Sequence, residues 1–419
     1  MKIKVGVFGA ARGMTMVNVL AKHPDAALVA VCDKHRPLLD DVGKKAAAQG
    51  IQAALYEDFE AFSRHDMDAV VLANYANEHA PYAVRLLRSG RHVLSEVLPC
   101  ETMAQAVELI EAVEETGRVY AYAENYCYMK GPFGMWRRYA QGDIGEIQYA
   151  EGEYIHDCSS ILPRITYGER DHWRNRMYST YYCTHSLGPV LAITGRRPVQ
   201  VIGFETNMNA AGLEKTASAL CCCAGIEMVT LDNGVVVKSV HGGLKREPGS
   251  YNYQVYGTKG MMETDRWDRN GMSAYIEGDA LCKGELTHCE PEPYNGSELA
   301  RQTAGHGGSD FYTTHFFLEK ILGRPDGNTY SIDVYRAVDM GICGILAYRS
   351  VLNGNRPVRV PDLRDKAARG EFRGDHACTN PAVAGDQLLP VSPQFDPAQA
   401  PDGVFARIRQ LWLEGKALE

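Results

Sequence analysis

Residues 3–14 read Ile3-Lys4-Val5-Gly6-Val7-Phe8-Gly9-Ala10-Ala11-Arg12-Gly13-Met14, and Asp33 follows Val31-Cys32 farther along. The first six residues are a mostly apolar run suited to a buried parallel strand. The glycine-bearing turn then opens a helical stretch to about residue 21, and residues 27–32 make a second strand that ends in Asp33. Working outward, the alternation continues through a strand at 68–73, a helix at 79–89, a strand at 92–95, a helix at 102–116 and a strand at 119–123. Strands alternating with helices define a doubly wound parallel sheet.

The turn departs from the G-x-G-x-x-G pattern: Gly9 is in place, but Ala11 holds the second glycine position and Met14 the third. Its context is what gives it meaning, because it joins the first strand to the first helix and an acid closes the second strand. An acid there binds the adenosine ribose hydroxyls, and the helix N-terminal amides receive a pyrophosphate. The competing reading is an α/β domain without nucleotide. Asp33 favours NAD over NADP because a carboxylate repels a 2′-phosphate, while Lys34 and Arg36 leave NADP open.

A chain of 419 residues suits two domains. With 45% hydrophobic and 23% charged residues it is neither disordered nor fibrous. Its formal charge of −8 argues against nucleic acid or an anionic membrane as partner. No membrane-length apolar run and no signal peptide stand out, so a cytoplasmic protein is expected. The 12 cysteines include no CxxC pair, which points to reduced thiols and to neither a zinc knuckle nor a disulfide framework. Tyrosines number 23, against 11 Phe and 4 Trp, a bias that suits a polyhydroxylated ligand.

Beyond Asp143-Ile144-Gly145-Glu146 the texture changes to strands at 147–155, 199–206, 227–231, 234–240 and 253–260. These predict an open, largely antiparallel sheet with helices on one face. Residues 310–322 and 332–352 turn helical, and a Pro-, Gly- and Asp-rich tail from about 361 wraps the surface and ends in an amphipathic helix near 405–413. The expected division is 1–125 for the nucleotide, 126–362 for substrate and oligomerisation, and 363–419 for the tail.

Over residues 1–362 the chain resembles the Gfo/Idh/MocA oxidoreductases. The resemblance is carried by 5–13, Asp33, Ala73-Asn74 with His79, His92-Val93-Leu94-Ser95-Glu96, Asn125, 142–146, Gly257-Thr258-Lys259-Gly260 and the run from Phe317-Leu318-Glu319 to Arg356-Pro357-Val358. It implies an N-terminal Rossmann domain, a C-terminal α/β domain that binds a sugar and forms a homo-oligomer through its sheet, and an NAD site. Assigned to that site are Gly9, Ala11, Arg12, Gly13, Met14, Asp33, Asn74, His79, Glu96 and Asn125. The family's Glu-Lys-Pro motif falls at Glu96-Val97-Leu98, so the lysine that assists hydride transfer is a valine, which carries no proton. Lys130 is the conceivable substitute, weighed against an exposed loop lysine.

Three further segments are Glu153-Tyr154-Ile155-His156-Asp157, Tyr182-Cys183-Thr184-His185-Ser186-Leu187-Gly188-Pro189 and Gly305-His306-Gly307-Gly308-Ser309-Asp310. Strand alternation sets Tyr154 and His156 on one face, and the i, i+3 spacing sets Tyr182 beside His185. The segments look like those of the family 109 glycoside hydrolases, which use bound NAD and also lack the lysine. That likeness makes Tyr154, His156, Tyr182 and His185 catalytic candidates, with Lys130, Asp157, Trp173, Arg174 and His306 toward substrate. No metal is expected: His156, Asp157, His185 and His306 are of ligand type, but no spacing demands an ion.

Oxidising a ring C3 hydroxyl acidifies C2–H, so the C1 substituent leaves by elimination, water adds back and the hydride returns. His and Tyr suit such proton traffic. The expected function is therefore an NAD-dependent sugar-active enzyme that cleaves a glycoside by elimination and hydration. The alternatives are a simple sugar or polyol dehydrogenase forming a 3-keto-glycoside, and a non-catalytic NAD-binding protein.

Overall fold

The computed structural model describes residues 2–268, 271–279, 284–294, 297–303 and 305–419. The chain divides into two compact units: Met1–Gly134 with Glu290–Val338 and Leu363–Arg373, and Met135–Cys289 with Asp339–Asp362 and Gly374–Glu419. Residues 290–338, placed by sequence in the second domain, and 363–373, placed in the tail, thus cluster with the first unit. The physical reason is burial. The helix Ser309–Ile321 sends Phe317 and Leu318 into the core built by Val5, Val7, Val71 and Leu94.

The first unit holds six parallel strands, β1 (Ile3–Phe8), β2 (Ala26–Cys32), β3 (Ala54–Tyr56), β4 (Ala69–Leu72), β5 (His92–Ser95) and β6 (Tyr120–Tyr122), in the order β3-β2-β1-β4-β5-β6. Central strands read as apolar runs because both faces are covered; all of β4 is buried. The helix Ala10–Lys22 starts at Gly9, whose φ of 102° and close approach to Ala73 exclude a side chain: a Cβ there would lie 2.3 Å from the Ala73 backbone. Thr102 caps the helix Met103–Thr116 by accepting from the Gln105 N–H, and Gly117 ends it in the left-handed region.

The second unit carries a mixed sheet of nine strands: β7 (Ile147–Ile155), β8 (Pro198–Glu205), β9 (Ala224–Leu231), β10 (Val236–Gly242), β11 (Ser250–Gly257), β12 (Gly260–Thr264), β13 (Met272–Ile276), β14 (Thr287–Cys289) and β15 (Val358–Arg359). Their order is β14-β13-β12-β11-β7-β10-β9-β8-β15, antiparallel except for β7 with β10. The run expected as one strand at 253–260 is a hairpin: β11 stops at Gly257, Thr258-Lys259 turn, and Gly260 begins β12.

One face of this sheet packs against the helix Thr184–Thr194, all eleven residues of which are buried. Gly152 permits the approach, since a Cβ there would sit 1.9 Å from the Ser186 carbonyl oxygen. The closing helix runs Asp402–Leu413, and past it the Leu418 N–H donates to the Ser160 carbonyl. Among the described residues no helix is long and apolar enough to cross a membrane.

Candidate active site

In the first unit, Gly9 and the start of the helix Ala10–Lys22 form a cradle at the C-terminal end of β1. No acidic residue stands in that helix's first turn, so its amides meet no competing carboxylate from their own element. Asp33, 8% exposed, accepts from the Ala10 N–H at 2.7 Å and from the His35 N–H at 2.8 Å, which ties the end of β2 to the turn. Ala11 is exposed, which keeps its methyl out of the core. Gly13, one residue before the third motif position, makes the close helix–strand contact instead: a Cβ there would lie 2.6 Å from Val7 Cγ1. Met14 packs against the apolar core.

Three of the residues discussed above, Arg12, Asn125 and His306, are joined by one acid, Asp310, for which the motifs imply no role. Asp310 is fully buried and receives Arg12 at 2.6 Å, Asn125 at 3.0 Å and His306 at 2.8 Å. Arg12 also meets Glu96 at 2.7 Å. Despite burial, which opposes its charge, the Arg12 guanidinium and His306 hold the Asp310 carboxyl far below the usual range. His79 is buried and its Nδ1–H donates to the Leu98 carbonyl oxygen at 3.0 Å; burial lowers its pKa to about 4, so it is neutral. Asn74 donates to Glu78, while its Oδ1 is buried with no hydrogen-bond partner among the described residues. A glycine cradle that a Cβ would fill, an amide-bearing helix end free of acids, a strand-end carboxylate and an orphaned amide oxygen fit a dinucleotide.

In the second unit a pocket is lined on one side by Tyr154, His156, Arg174 and Tyr182. Tyr154 OH and His156 Nδ1 lie 3.1 Å apart, so the phenol has an imidazole acceptor for its proton. The His185 ring stands edge-on to both Tyr154 and Tyr182, with centroids 4.9 Å away in each case, but His185 is not among the lining residues. Arg174 lies over the Trp173 ring at 4.4 Å and the Tyr182 ring at 5.5 Å. Burial opposes its charge, yet Tyr182 and Cys158 more than offset that, and its pKa sits above the ordinary value.

Burial also pushes the Tyr154 phenol well up, with Cys158, Tyr182 and Tyr251 adding to it and Arg174 pulling back. Arg174 supplies a neighbouring charge that favours the phenolate, but the net shift is upward. Cys158, pushed to about 11 by burial, is no nucleophile.

Three residues expected toward substrate are engaged elsewhere. Asp157 pairs with Lys245 at 2.6 Å and accepts from the Ser159 N–H. Lys130 pairs with Glu290, and His306 belongs to the Asp310 cluster. Trp173 is buried beneath Arg174. His241 and Ser179 line the pocket without having been singled out. The strand expected at 234–240 stops one residue short of His241, whereas β10 runs on to Gly242. Among the described residues no group of three or more His, Cys, Asp or Glu side chains is placed to hold a metal ion.

A parallel sheet with this cradle is the nucleotide half of an NAD-dependent oxidoreductase. Residues 3–124 match the oxidoreductase family with NAD-binding Rossmann fold, and residues 224–369 match the C-terminal domain of glycosyl hydrolase 109. The first part of the chain thus matches the Gfo/Idh/MocA oxidoreductase model and a later part the family 109 C-terminal model.

A glycosyl hydrolase family 109 protein of Saccharopolyspora erythraea is 27% identical over 403 residues, covering 89% of this chain and 85% of the relative. One of Porphyromonas gingivalis is 24% identical over 402, covering 86% and 84%. Levoglucosan dehydrogenase in complex with NADH and levoglucosan superposes with a TM-score of 0.68 at 15% identity, over 86% of this chain and 100% of that one. An inositol dehydrogenase homolog from Azotobacter vinelandii complexed with NAD+ gives 0.67 at 18%, over 86% and 98%. The fold class, family, cofactor and oxidoreductase class read from the sequence are all upheld.

Proposed function

We propose that the protein cleaves a small glycoside without net redox change, with Tyr154, His156, Tyr182 and His185 moving the protons. The observation that carries this reading is the pocket wall. It presents a phenol hydrogen-bonded to an imidazole, a second phenol and an arginine cation, and among the described residues no carboxylate lines it. A glycosidase working through paired acids needs two carboxylates there. The glycosyl hydrolase naming of the full-length relatives supports the reading, and the levoglucosan and inositol names of the structural neighbours support a sugar or polyol as ligand.

NAD, when bound, supplies a reversible hydride acceptor for the C3 carbon. Tyr154 passes its proton to His156 Nδ1 and takes the C2 proton on its phenolic oxygen; Arg174 lowers the cost of that oxyanion. As the C1–O bond breaks, the Tyr182–His185 pair donates a proton to the departing oxygen, and it then accepts one from the water that adds at C1. Tyr154 then returns a proton to C2, and the proton of the C3 hydroxyl, released on oxidation and regained on reduction, exchanges with solvent as the hydride leaves C3 and returns to it. The second copy of the chain belongs on the sheet face away from the helix Thr184–Thr194, where Phe204 and Tyr256 are 41% and 37% exposed.

The test is turnover of aryl glycosides by the NAD-loaded protein in heavy water. The expected product carries deuterium at C2 with no accumulation of NADH. Stoichiometric NADH with a keto-sugar and no label at C2 refutes the glycosidase and leaves a dehydrogenase.

A further inference from the structure

The pocket has an inner end that this reaction leaves without a role. Glu227 of β9 is fully buried, yet neither carboxylate oxygen has a hydrogen-bond partner among the described residues. His241 of β10 is 2% exposed; its Nδ1 lies 3.4 Å from Glu227 Oε1, and both ring nitrogens lack a hydrogen bond among the described residues. The buried hydroxyl of Ser179 is in the same condition. His241 and Ser179 line the pocket beside Ala219 and Cys223.

Strand register brings these groups together. His241 stands opposite Tyr154 on β7 and opposite Gly225 on β9, and Ser239 stands opposite Glu227. Residues two apart on a strand share a face, so Glu227, Ser239 and His241 lie on one side of the sheet. It is the side packed by the helix Thr184–Thr194, because Ser239 Oγ is 2.8 Å from Ser186 Oγ. Tyr154 follows Gly152 on that side. At Gly225 the missing side chain admits the Ser179 carbonyl, which a Cβ would meet at 2.4 Å, and so sets Ser179 next to His241.

Such an arrangement is unfavourable as bare structure. A buried polar group without a partner costs about 1–3 kcal/mol, and a charged one more. Apolar residues of similar volume are commonly as stable or more so. Groups of this kind concentrate where a ligand completes them.

We propose that His241 and Ser179 form a hydroxyl-recognition subsite, with Glu227 as the positioning residue behind the imidazole. One ring hydroxyl both donates and accepts, which matches a serine hydroxyl and an imidazole. An anionic substituent is disfavoured because Glu227 stands directly behind. The inference rests on the reading that a sugar occupies the pocket, but it concerns binding rather than cleavage.

The test is calorimetry on the NAD-loaded protein with methyl glucoside, methyl galactoside, their N-acetylamino counterparts and a monodeoxy series. In the native protein, loss of one particular hydroxyl weakens binding about 10-fold or more, the loss expected for one or two hydrogen bonds. In His241→Phe the deoxy and parent sugars bind alike, and in Glu227→Gln and Ser179→Ala the difference shrinks. If His241→Phe does not fold, His241→Gln and Ser179→Ala run the same cycle. The subsite is refuted if the deoxy penalty is unchanged in these variants, if no hydroxyl matters, if none of the sugars binds, or if a glycuronide binds more tightly than its neutral parent. Sugars that bind with this pattern but are not cleaved overturn the glycosidase and leave the subsite standing.

Discussion

Replacing Gly152 by alanine tests whether the helix Thr184–Thr194 is seated on the sheet as described. The added Cβ would meet the Ser186 carbonyl oxygen at 1.9 Å, where ordinary contact begins near 3.4 Å, so one partner must retreat by about 1.5 Å. The obstacle is backbone of a wholly buried helix, and no side-chain rotation relieves it. Overpacking of this kind costs about 1–3 kcal/mol, and the rigid neighbour puts it near ~3 kcal/mol. At about 2–4 °C per kcal/mol for a unit of this size, the second unit's unfolding should come roughly 6–12 °C earlier. Ser186 adjoins His185, so its displacement also separates the imidazole from the two tyrosine rings 4.9 Å away. A misplacement of about 1 Å costs on the order of 100-fold in rate. Differential scanning calorimetry and aryl-glycoside turnover read the two effects. The control is Gly374→Ala, where nothing lies within 4 Å of the new Cβ. If Gly152→Ala and Gly374→Ala behave alike in both assays, the packing argument is wrong.

Asp33→Ala should weaken NAD binding by about 10- to 100-fold in titration calorimetry, because the ribose loses an acceptor and the Ala10 and His35 amides lose theirs; unchanged affinity rejects the placement. Arg369, 1% exposed, holds Glu114 so that the carboxyl titrates near 2 instead of 4.5. A depressed folded value makes the contribution complete above about pH 4.5 and erodes it as pH falls toward 2. Glu114→Gln should therefore be less stable than the native protein by about 1–3 kcal/mol at pH 6, with the gap in urea unfolding closing below pH 4. Tyr154→Phe, His156→Ala and the double variant should lose C2 exchange to similar extents, since the two groups serve one proton path; additive losses would separate their roles. Phe204→Glu should leave the chain monomeric by light scattering, and an unchanged mass places the partner elsewhere.

The nucleotide half was legible because each central strand is covered on both faces and reads as an apolar run bounded by glycine or acid. Two elements there are not legible in the same way: β3, whose three residues include none fully buried, and the helix Arg36–Ala48, which buries only Leu39, Val42 and Ala46. The same holds for β14 at the edge of the second sheet. Local pattern could not assign residues 309–321 to the first unit either. That assignment depends on Asp310 meeting Arg12, 298 positions away, and on Phe317 and Leu318 entering the core beside Val5. Motif order along the chain says nothing about such closures.

The site divides along the same line. Tyr154 with His156, and Tyr182 with His185, are short-range pairs, and strand alternation and helical spacing suffice to bring them together. His241 and Glu227 are brought to Tyr154 by the pairing of three strands, a matter of register that a single sequence does not reveal. The partner of Asp157 is hidden from the sequence in the same way, since Lys245, 88 positions on, pairs with its carboxylate.

The consequence bears on the chemistry. Val97, where the family's lysine stands, is buried and brings no proton, so the proposed reaction draws on other groups for its proton transfers. A hydroxyl oxidation alone requires one acceptor, which a single histidine supplies. The pocket holds a phenol kept protonated by burial, an imidazole positioned to relieve it, and a second phenol under an arginine. Under the proposed glycoside cleavage each of these groups has a step to serve, because protons move at C1 and C2 as well as at C3, whereas a dehydrogenase would use only one of them.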